Sequence, residues 1–270
     1  MGKTSILMVC NAQMLSGRCR FGGIINLMQT LRVATYNIHK GVQGLGPARR
    51  LEIHNLAQAV HRLNADIVCL QEVRAFNHHM QRRFAHWPAQ GQAQVLAPKG
   101  FEVLYRTNAI TRHGEHGNAL LSRWPVLHHG HHDVSDHRFE QRGLLHAVLS
   151  LEGTPVHVVV VHLGLVHASR LRQVQRLGQF VAHHVPAEAP LIVAGDFNDW
   201  ESRLHQPMAQ LGLHTFDQQR LATFPSRLPL LGLDRIYTRG LRPVQAHVPR
   251  GRDWARMSDH LPLVGELALP

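Results

Sequence analysis

The spacing of hydrophobic and polar positions becomes regular from Leu31 onward and predicts more strands than helices. Short apolar runs bounded by polar, glycine or proline residues are typical of strands. Such runs occupy residues 32–38, 66–70, 101–105, 119–122, 144–151, 156–163, 191–194, 233–238, 244–248 and 263–269. Apolar positions three or four residues apart predict helices over residues 47–63 and 168–183, with a shorter helix over 202–211. Residues 74–99 are polar and predict a long variable loop that could contain a helical turn.

The alternation of hairpin-like strand pairs with two helical segments predicts the fold class. Two sheets packed face to face, with helices outside, suit this order within one α/β (α+β) domain. An α/β barrel or a doubly wound sheet would need more helices than the pattern offers. Residues 1–29 lack periodicity, so we expect a disordered or misassigned extension there and a single domain over residues 30–270.

Composition narrows the class of protein and leaves the partner open. Hydrophobic residues make up 44% of the 270 residues and charged residues 17%, which excludes general disorder and a coiled coil. The formal net charge is +11, and histidine is abundant at 23. The charge favours an anionic partner such as nucleic acid or an acidic membrane surface. An arginine-rich chain is also what a GC-rich genome encodes, so both explanations stand at this point.

The cysteines and the length of the apolar runs bear on the compartment. Cys10, Cys19 and Cys69 form an odd, sparse set without paired metal spacing, which is typical of a reduced intracellular protein. No apolar run reaches the roughly 18 residues that a transmembrane helix needs. We therefore expect a cytoplasmic protein without a transmembrane segment, with a monomer favoured.

Polar residues that could carry chemistry stand at the ends of the predicted strands. The set consists of Asn37, Glu72, His162, Asp196, Asn198, Asp234, Asp259 and His260. Loops at strand ends carry functional groups on a rigid scaffold. Taken singly, each of these residues is also compatible with a turn or with a satisfied buried polar group.

The segment Asp196-Phe197-Asn198 is the most informative of these strand ends. In an extended chain, residues i and i+2 point to the same side. Asp196 and Asn198 would then face one site while Phe197 packs among apolar side chains. A carboxylate beside an amide suits a water-activating base next to a hydrogen-bond donor. An Asx turn that closes the strand is the alternative, and Gly195 would permit a close approach of backbone or substrate.

Two further pairings follow from residue chemistry. Adjacent residues rarely face each other, so Asp234 on a neighbouring strand is a better partner for the His260 imidazole than Asp259. Such a carboxylate would orient the ring and favour its protonated form. Glu72 offers hard oxygen ligands of the kind that Mg²⁺ prefers.

These residues lie within segments that resemble the endonuclease/exonuclease/phosphatase superfamily, whose members include DNase I. The segments are Thr35-Tyr36-Asn37-Ile38-His39, Leu70-Gln71-Glu72-Val73, Gly117-Asn118-Ala119-Leu120-Leu121-Ser122-Arg123, Val161-His162-Leu163, Gly195-Asp196-Phe197-Asn198-Asp199, Leu233-Asp234-Arg235-Ile236 and Ser258-Asp259-His260. Each is weak alone, but they occur in the superfamily's order and span residues 31–269. The resemblance implies a DNase I-like fold, a four-layer α/β/β/α sandwich with the site at one edge of the paired sheets.

Four segments carry a closer match to the bacterial YbhP-like branch of that superfamily. They are His39-Lys40-Gly41, Gln141-Arg142-Gly143-Leu144, His162-Leu163-Gly164-Leu165 and Asp196-Phe197-Asn198-Asp199-Trp200. This branch has no settled substrate, so the match indicates the type of reaction but not the substrate.

The resemblance also implies a role for each residue. Glu72 would hold a catalytic Mg²⁺ or Mn²⁺, with Asn37 beside it and Asp259 in support. Asp196 would orient and deprotonate the attacking water. The remaining roles concern the phosphate: Asn198 and His162 would contact it, and His260, oriented by Asp234, would stabilise the charge that develops on it. Asn118 and Arg142 are further candidates for phosphate binding, although a turn residue and a surface ion pair explain them equally well.

Two segments outside these motifs invite an assignment. The run His128-His129-Gly130-His131-His132 resembles a metal ligand set, but it matches no superfamily motif and we expect a solvated loop. The arginine-rich stretch over residues 239–256 includes Trp254, which could stack on a base or meet a lipid interface, or could belong to a mobile loop.

The sequence therefore predicts a divalent-metal-dependent phosphoesterase, and most specifically a phosphodiester hydrolase. Its anionic phosphate-ester substrate would be nucleic acid or a phospholipid head group. A lipid substrate would require an apolar approach surface, which Phe76, Phe84 and Trp87 in the 74–99 segment could supply. A catalytically inactive basic nucleic-acid-binding module is the alternative from another functional class.

Overall fold

Two mixed β-sheets contain most strands of residues 30–216 and 221–269, the part of the chain that the computed structural model describes. The expected extension over residues 1–29 lies outside the described residues. The strands are β1 (Thr30–Asn37), β2 (Val42–Gln43), β3 (Arg50–Leu51), β4 (Ile67–Val73), β5 (Glu102–Thr111), β6 (Gly114–Ser122), β7 (Val126–Asp133), β8 (Gly143–Leu151), β9 (Thr154–His162), β10 (Leu191–Asp196), β11 (Asp234–Arg239), β12 (Arg242–His247) and β13 (Leu263–Ala268). The helices are α1 (Ile53–Leu63), α2 (His78–Arg83), α3 (Gln92–Leu96), α4 (His167–His184), α5 (His205–Gln210) and α6 (Arg252–Met257).

The two sheets have related connectivity. The first has the order β12-β13-β1-β4-β6-β5, and the second has the order β11-β10-β9-β8-β7. Each contains one parallel pair, β1 with β4 and β9 with β10, and the other neighbours are antiparallel. A parallel pair needs a crossover, and α1 and α4 supply the two crossovers.

Three buried clusters define four layers. The central cluster lies between the two sheets and includes Leu31 and Val33 from β1. The alternate β1 residues Ala34 and Tyr36 face the other way, into a second cluster with α1, α3 and α6. A third cluster packs the outer face of the second sheet against α4 and α5. The layers are therefore helices, sheet, sheet and helices, which confirms the predicted α/β/β/α sandwich.

The first predicted helix begins later than the pattern indicated. Residues Gly46–Ala48 form a 3₁₀ turn, and β3 then pairs with β2 before α1 starts at Ile53. Within α1, buried apolar residues recur at three- and four-residue spacing, as expected for one helix face on a sheet. The helix ends at Asn64, whose left-handed φ of 47° closes the last turn.

Two predicted loops contain regular structure instead, and so does the stretch over residues 239–256, for which a mobile loop was one alternative. The 74–99 segment contains α2 and α3, and the Asn77 side chain caps α2 by accepting from the backbone N–H of Met80 at 2.9 Å. The His128–His132 run belongs to β7, an exposed edge strand paired with β8. The 239–256 stretch contains α6 and β12, and β12 overlaps the strand predicted over residues 244–248. Neither face of β7 at the histidine run is strongly apolar, so no alternation revealed it as a strand.

No helix in the described ranges is both long and apolar enough to cross a membrane. Cys69 is a free thiol buried in the central cluster.

A histidine pair beneath α4 predicts an acid-dependent stability. Burial lowers the pKa of His146 to about 4 and lowers that of its stacked partner His157. Between pH 6.5 and pH 4 the unfolded chain therefore binds more protons than the folded protein does. The stability that these neutral histidines contribute is present above pH 6.5 and is lost as the pH falls. We expect His146→Gln to reduce the loss of unfolding free energy between pH 7.5 and pH 5 by about 1–2 kcal/mol, as measured by urea denaturation.

His54→Gln is the matched control for this prediction because His54 is exposed on α1. It should retain the pH dependence of the unaltered protein. An equal loss in His146→Gln and the unaltered protein would contradict the assignment.

Candidate active site

The polar strand ends meet at one edge of the sandwich. Asn37 ends β1, His162 ends β9 and Asp196 ends β10, while Asp234 begins β11 directly opposite Asp196. Parallel strands place their carboxyl ends at the same edge, where ligands bind in open α/β sheets. Both sheets contribute residues to this edge because they pack face to face.

The Asp196 carboxylate lies at the centre of the cluster and is almost fully buried. Its Oδ2 accepts a hydrogen bond from Asn37 Nδ2 at 3.0 Å, which links the two sheets. The Nε2 atoms of His260 and His162 lie 3.6 and 3.7 Å from the same oxygen. Ser258 holds the Asn37 backbone in turn, since its hydroxyl donates to the Asn37 carbonyl at 2.7 Å.

Asp234 orients the His260 ring. His260 Nδ1 lies 2.9 Å from Asp234 Oδ2, and that oxygen also accepts a 2.6 Å hydrogen bond from the Thr223 hydroxyl. These two contacts fix both the position of the carboxylate and the tilt of the imidazole. Phe224 covers the ring at a centroid distance of 4.9 Å.

The two histidines beside Asp196 have opposite charge states. Burial acts against protonation of His260, but the Asp234 and Asp196 carboxylates outweigh it and raise the pKa of His260 to about 10. Burial, aided by Arg142, lowers the pKa of His162 to about 3. At neutral pH the site therefore contains one imidazolium and one neutral imidazole.

The turn after β10 differs from the extended chain predicted for it. Asn198 adopts a φ of 50°, and its backbone N–H donates to Asp196 Oδ1 at 2.9 Å, which is an Asx turn. The prediction that Asp196 and Asn198 share a face through extended backbone was wrong, because this hydrogen bond turns the chain. Phe197 is buried against Tyr237. Burial raises the pKa of the Asp196 carboxyl, although the charge of His260 acts in the opposite direction.

A second pair of carboxylates contacts the loop that follows β1. Lys40 Nζ donates to Glu72 Oε2 at 2.6 Å, and His39 Nδ1 lies 3.0 Å from Asp259 Oδ2. Burial would raise the pKa of Glu72, but Lys40 holds it well below its usual value. The hydrogen bond from His39 likewise outweighs burial and lowers the pKa of Asp259. Both carboxylates are thus ionised and face cationic or proton-donating groups.

Three predicted phosphate contacts already have protein partners. Asn198 Nδ2 donates to the Leu163 carbonyl at 2.9 Å, and Arg142 Nε donates to the same oxygen at 3.2 Å. Arg142 also reaches Glu140 Oε1 at 3.2 Å. Asn118 donates from Nδ2 to the carbonyls of Gly143 and Val160, at 3.0 and 3.2 Å, and so joins the first sheet to the second. A phosphate would have to compete with these bonds.

Several residues of the site carried no assigned role in the sequence analysis. Lys40 stands in a quoted segment, and its signal was a lysine three residues after a strand-end asparagine. Gln92 is buried and donates to the Lys40 carbonyl at 2.8 Å, which fixes the loop. His116 lies near Glu72, and burial lowers the pKa of His116 to about 4.

Thr223 had no sequence signal, since only the fold brings it to Asp234. Trp254, for which ligand contact and a mobile loop were the alternatives, belongs to α6 and packs edge-on against Tyr36 with 6.5 Å between the ring centroids.

The comparison with protein families decides the classification. The model of the endonuclease/exonuclease/phosphatase family matches residues 34–260, which include every residue of the site. The chain belongs to this family. Among curated relatives, uncharacterized protein YbhP of Escherichia coli K12 is 39% identical over 248 residues, covering 89% of this chain and 97% of its own.

Solved structures support the same fold. A conserved protein of unknown function from Enterococcus faecalis V583 matches with a TM-score of 0.70 and 23% identity, covering 89% of this family member and all of its own chain. The human Nocturnin catalytic domain with bound sulfate matches with a TM-score of 0.68 and 21% identity, covering 89% of this chain and 95% of its own. At these identities the likeness concerns the fold alone.

Gly195 sets the distance between β10 and β9, which predicts a severe effect of adding a side chain. A Cβ there would lie 1.9 Å from the Val161 carbonyl oxygen, so backbone would have to move. We expect Gly195→Ala to lower the unfolding free energy by about 2–3 kcal/mol in chemical denaturation. Gly130→Ala on β7 is the control, because its Cβ would meet nothing within 4 Å and its change should stay within about 0.5 kcal/mol. Equal stability of the two variants would refute the packing argument.

Proposed function

We propose that this family member hydrolyses phosphodiesters with a divalent metal ion, Mg²⁺ or Mn²⁺. The observation that carries the proposal is the arrangement around Asp196. A buried carboxylate lies between a charged and a neutral imidazole, beside a second pair of ionised carboxylates. A base, a fixed positive charge and oxygen ligands for a cation are the parts that phosphoryl transfer to water requires.

Glu72 fits a hard cation better than the cluster of Asp196, Asp234 and His260 does. The ligand atoms of Asp196, Asp234 and His260 lie within 4.8 Å of one another, the one group of three or more such ligands among the described residues. His260 is protonated there and has no lone pair to give a metal. Glu72, by contrast, is ionised and already attracts the Lys40 ammonium, and Asn37 and Asp259 add oxygen donors of the kind that Mg²⁺ prefers. We therefore assign the metal to Glu72, with Asn37 and Asp259 in support.

The protein groups have distinct tasks in hydrolysis. Asp196 takes a proton from water as the water oxygen bonds to phosphorus, and the ester P–O bond breaks as the leaving oxygen gains a proton from solvent. The raised pKa of Asp196 makes it a stronger base than an exposed aspartate. A bound Mg²⁺ or Mn²⁺ would act as a Lewis acid on the phosphate oxygens.

His260 and His162 would act on the same phosphate in different ways. The His260 imidazolium, held by Asp234, supplies a fixed charge where negative charge develops. Neutral His162 supplies one ring N–H. Asn198 Nδ2 donates to the carbonyl of Leu163, the residue after His162, and so holds this segment in place. A purely nucleic-acid-binding module would gain nothing from burying several carboxylates where phosphate binds.

The catalytic assignment predicts large losses in single variants. Asp196→Asn, Glu72→Gln and His260→Gln should each lower kcat/KM toward a soluble aryl phosphodiester by about 10²–10⁴-fold, because each removes a group that acts on the transition state. Excess EDTA should abolish turnover, and Mg²⁺ or Mn²⁺ should restore it. Initial rates at fixed metal concentration measure these effects.

Glu201→Gln is the matched control for these variants, since Glu201 is an exposed carboxylate five residues after Asp196. It should keep its activity. Full turnover by Asp196→Asn, or in saturating EDTA, would rule out the proposed mechanism.

The Lys40–Glu72 contact predicts competition between the lysine and the metal. The ammonium occupies Glu72 Oε2 at 2.6 Å, so a cation must displace or share it. Lys40→Met should therefore tighten Mn²⁺ binding to the metal-free protein by roughly tenfold, measured by calorimetry. Lys99→Met is the control, because Lys99 has no acidic partner among the described residues. Weaker or unchanged Mn²⁺ binding in Lys40→Met would contradict this prediction.

A further inference from the structure

A cavity of about 560 Å³ opens beside the candidate active site. Arg142 and His116 line its inner side, and Leu165 and Val166 line another side. Arg142 Nε and Asn198 Nδ2 donate to the same Leu163 carbonyl, so the cavity and the catalytic edge share a wall. Leu165 follows His162 by only three residues. A molecule in the cavity is therefore within reach of the phosphate-processing groups.

The outer rim of this cavity is strongly apolar. Ile110 is 76% exposed, Phe139 is 82% exposed and Leu165 is 58% exposed, and all three line the cavity together with Val166. Isolated exposed apolar side chains are common on proteins. Several of them around one opening form a patch, which is typical of an interaction surface.

Exposed cations accompany the apolar rim. Arg138 lies over the Phe139 ring, with its guanidinium carbon 4.6 Å from the ring centroid. Arg112 is exposed two residues after Ile110 and forms no ion pair with any described residue. The one carboxylate lining the cavity, Glu140, is already paired with Arg142. The rim thus presents apolar side chains and unpaired positive charge side by side.

Further apolar side chains flank the site near His260. Leu228 and Leu230 are 65% and 58% exposed and belong to a turn held by Phe224, whose ring contacts His260. The half-exposed Trp200 contacts Phe224 at a centroid distance of 6.1 Å. Exposed apolar side chains therefore flank the candidate active site both at the cavity rim and at the turn that carries Leu228 and Leu230.

We propose that this rim docks on an anionic phospholipid bilayer and that the substrate is the phosphodiester of a membrane lipid. The inference rests on the proposed function and names its substrate class. A phospholipid places a phosphodiester directly beside acyl chains, which matches a phosphate site bordered by apolar side chains. Basic groups next to inserted apolar side chains are the usual means of holding a protein at an anionic membrane surface.

The residue types at the rim favour lipid over nucleic acid. Single-stranded nucleic acid is held by aromatic faces on which bases stack. Ile110, Leu165 and Val166 are aliphatic and offer no such face. The cavity-lining residues that carry rings are Phe139, His116 and His137, and the Arg138 guanidinium already lies over the Phe139 ring. Aliphatic side chains contribute by leaving water, as they do when they enter the acyl region.

The test is vesicle co-sedimentation of the metal-free protein, with phosphatidylcholine vesicles that contain or lack phosphatidylglycerol. The unaltered protein should bind the anionic vesicles and release them at high salt. Ile110→Ser and Phe139→Ser should each weaken binding roughly tenfold, and Arg138→Gln should weaken it on anionic vesicles. Leu127→Ser is the matched control, because Leu127 is 59% exposed but lies at the opposite end of β7 from the site.

Each outcome separates docking from catalysis. Vesicle binding that is lost in the rim variants and kept in Leu127→Ser supports the proposal. Absence of vesicle binding, or equal binding by all variants, overturns it. Tighter binding of a single-stranded oligonucleotide that is lost in the same rim variants also overturns it.

Two enzymatic readouts show which proposal has failed. Hydrolysis of a soluble aryl phosphodiester without vesicle binding leaves the proposed function intact and rejects the docking surface. Vesicle binding without hydrolysis of any phosphodiester rejects the proposed function and retains the docking surface. With both activities present, the rim variants should lose hydrolysis of phosphatidylglycerol in vesicles far more than hydrolysis of the soluble ester.

Discussion

The hydrogen bond from Asn37 to Asp196 joins the two sheets at the edge where the chemistry is concentrated. Asn37 ends a strand of the first sheet and Asp196 ends a strand of the second, and 3.0 Å separates Nδ2 from Oδ2. The contact exists only because the central apolar cluster holds the sheets face to face in this register. It also places an amide donor on the oxygen that both histidines approach. The arrangement of the carboxylates and imidazoles at this edge depends on that junction.

Burial is tolerated at this edge because opposite charges are matched. Asp196 and Asp234 face the His260 imidazolium, and Glu72 faces the Lys40 ammonium. An unpaired carboxylate in this position would cost several kcal/mol in lost hydration. The carboxylates keep His260 charged, whereas burial and Arg142 keep His162 neutral, so similar side chains acquire different properties a few ångströms apart.

The net charge of +11 and the acidic site are complementary parts of one surface. The cluster around Glu72 and Asp196 is locally negative, whereas arginines at the adjoining cavity are positive. An anionic substrate would be attracted by the arginines before it meets the carboxylates. Apolar side chains of the same rim give that approach a second component that does not depend on charge, since hydrophobic transfer is insensitive to screening by salt.

Strand-end chemistry and motif order were readable from the sequence. Asn37, Glu72, His162, Asp196, Asp234 and His260 were selected there, and the structure brings Asn37, His162 and His260 to Asp196, with Asp234 on His260. These residues follow or precede apolar strands, and strand ends of a two-sheet sandwich converge by topology. The periodicity likewise predicted the sandwich, because alternation in strands and three- to four-residue spacing in helices reflect which faces are buried.

Other features depended on contacts that no local pattern contains. The partners of Lys40 and Thr223 lie 32 and 11 residues away along the chain. The prediction of an extended chain at Asn198 was wrong because a hydrogen bond to the Asp196 side chain turns the chain there. The prediction of a loop at β7 was wrong because pairing with β8 makes this segment a strand. The sequence by itself therefore determined the family, the layers and the chemical groups of the site. Only the tertiary structure decided their charge states, their partners and the apolar rim, since these depend on distances between segments remote in the chain.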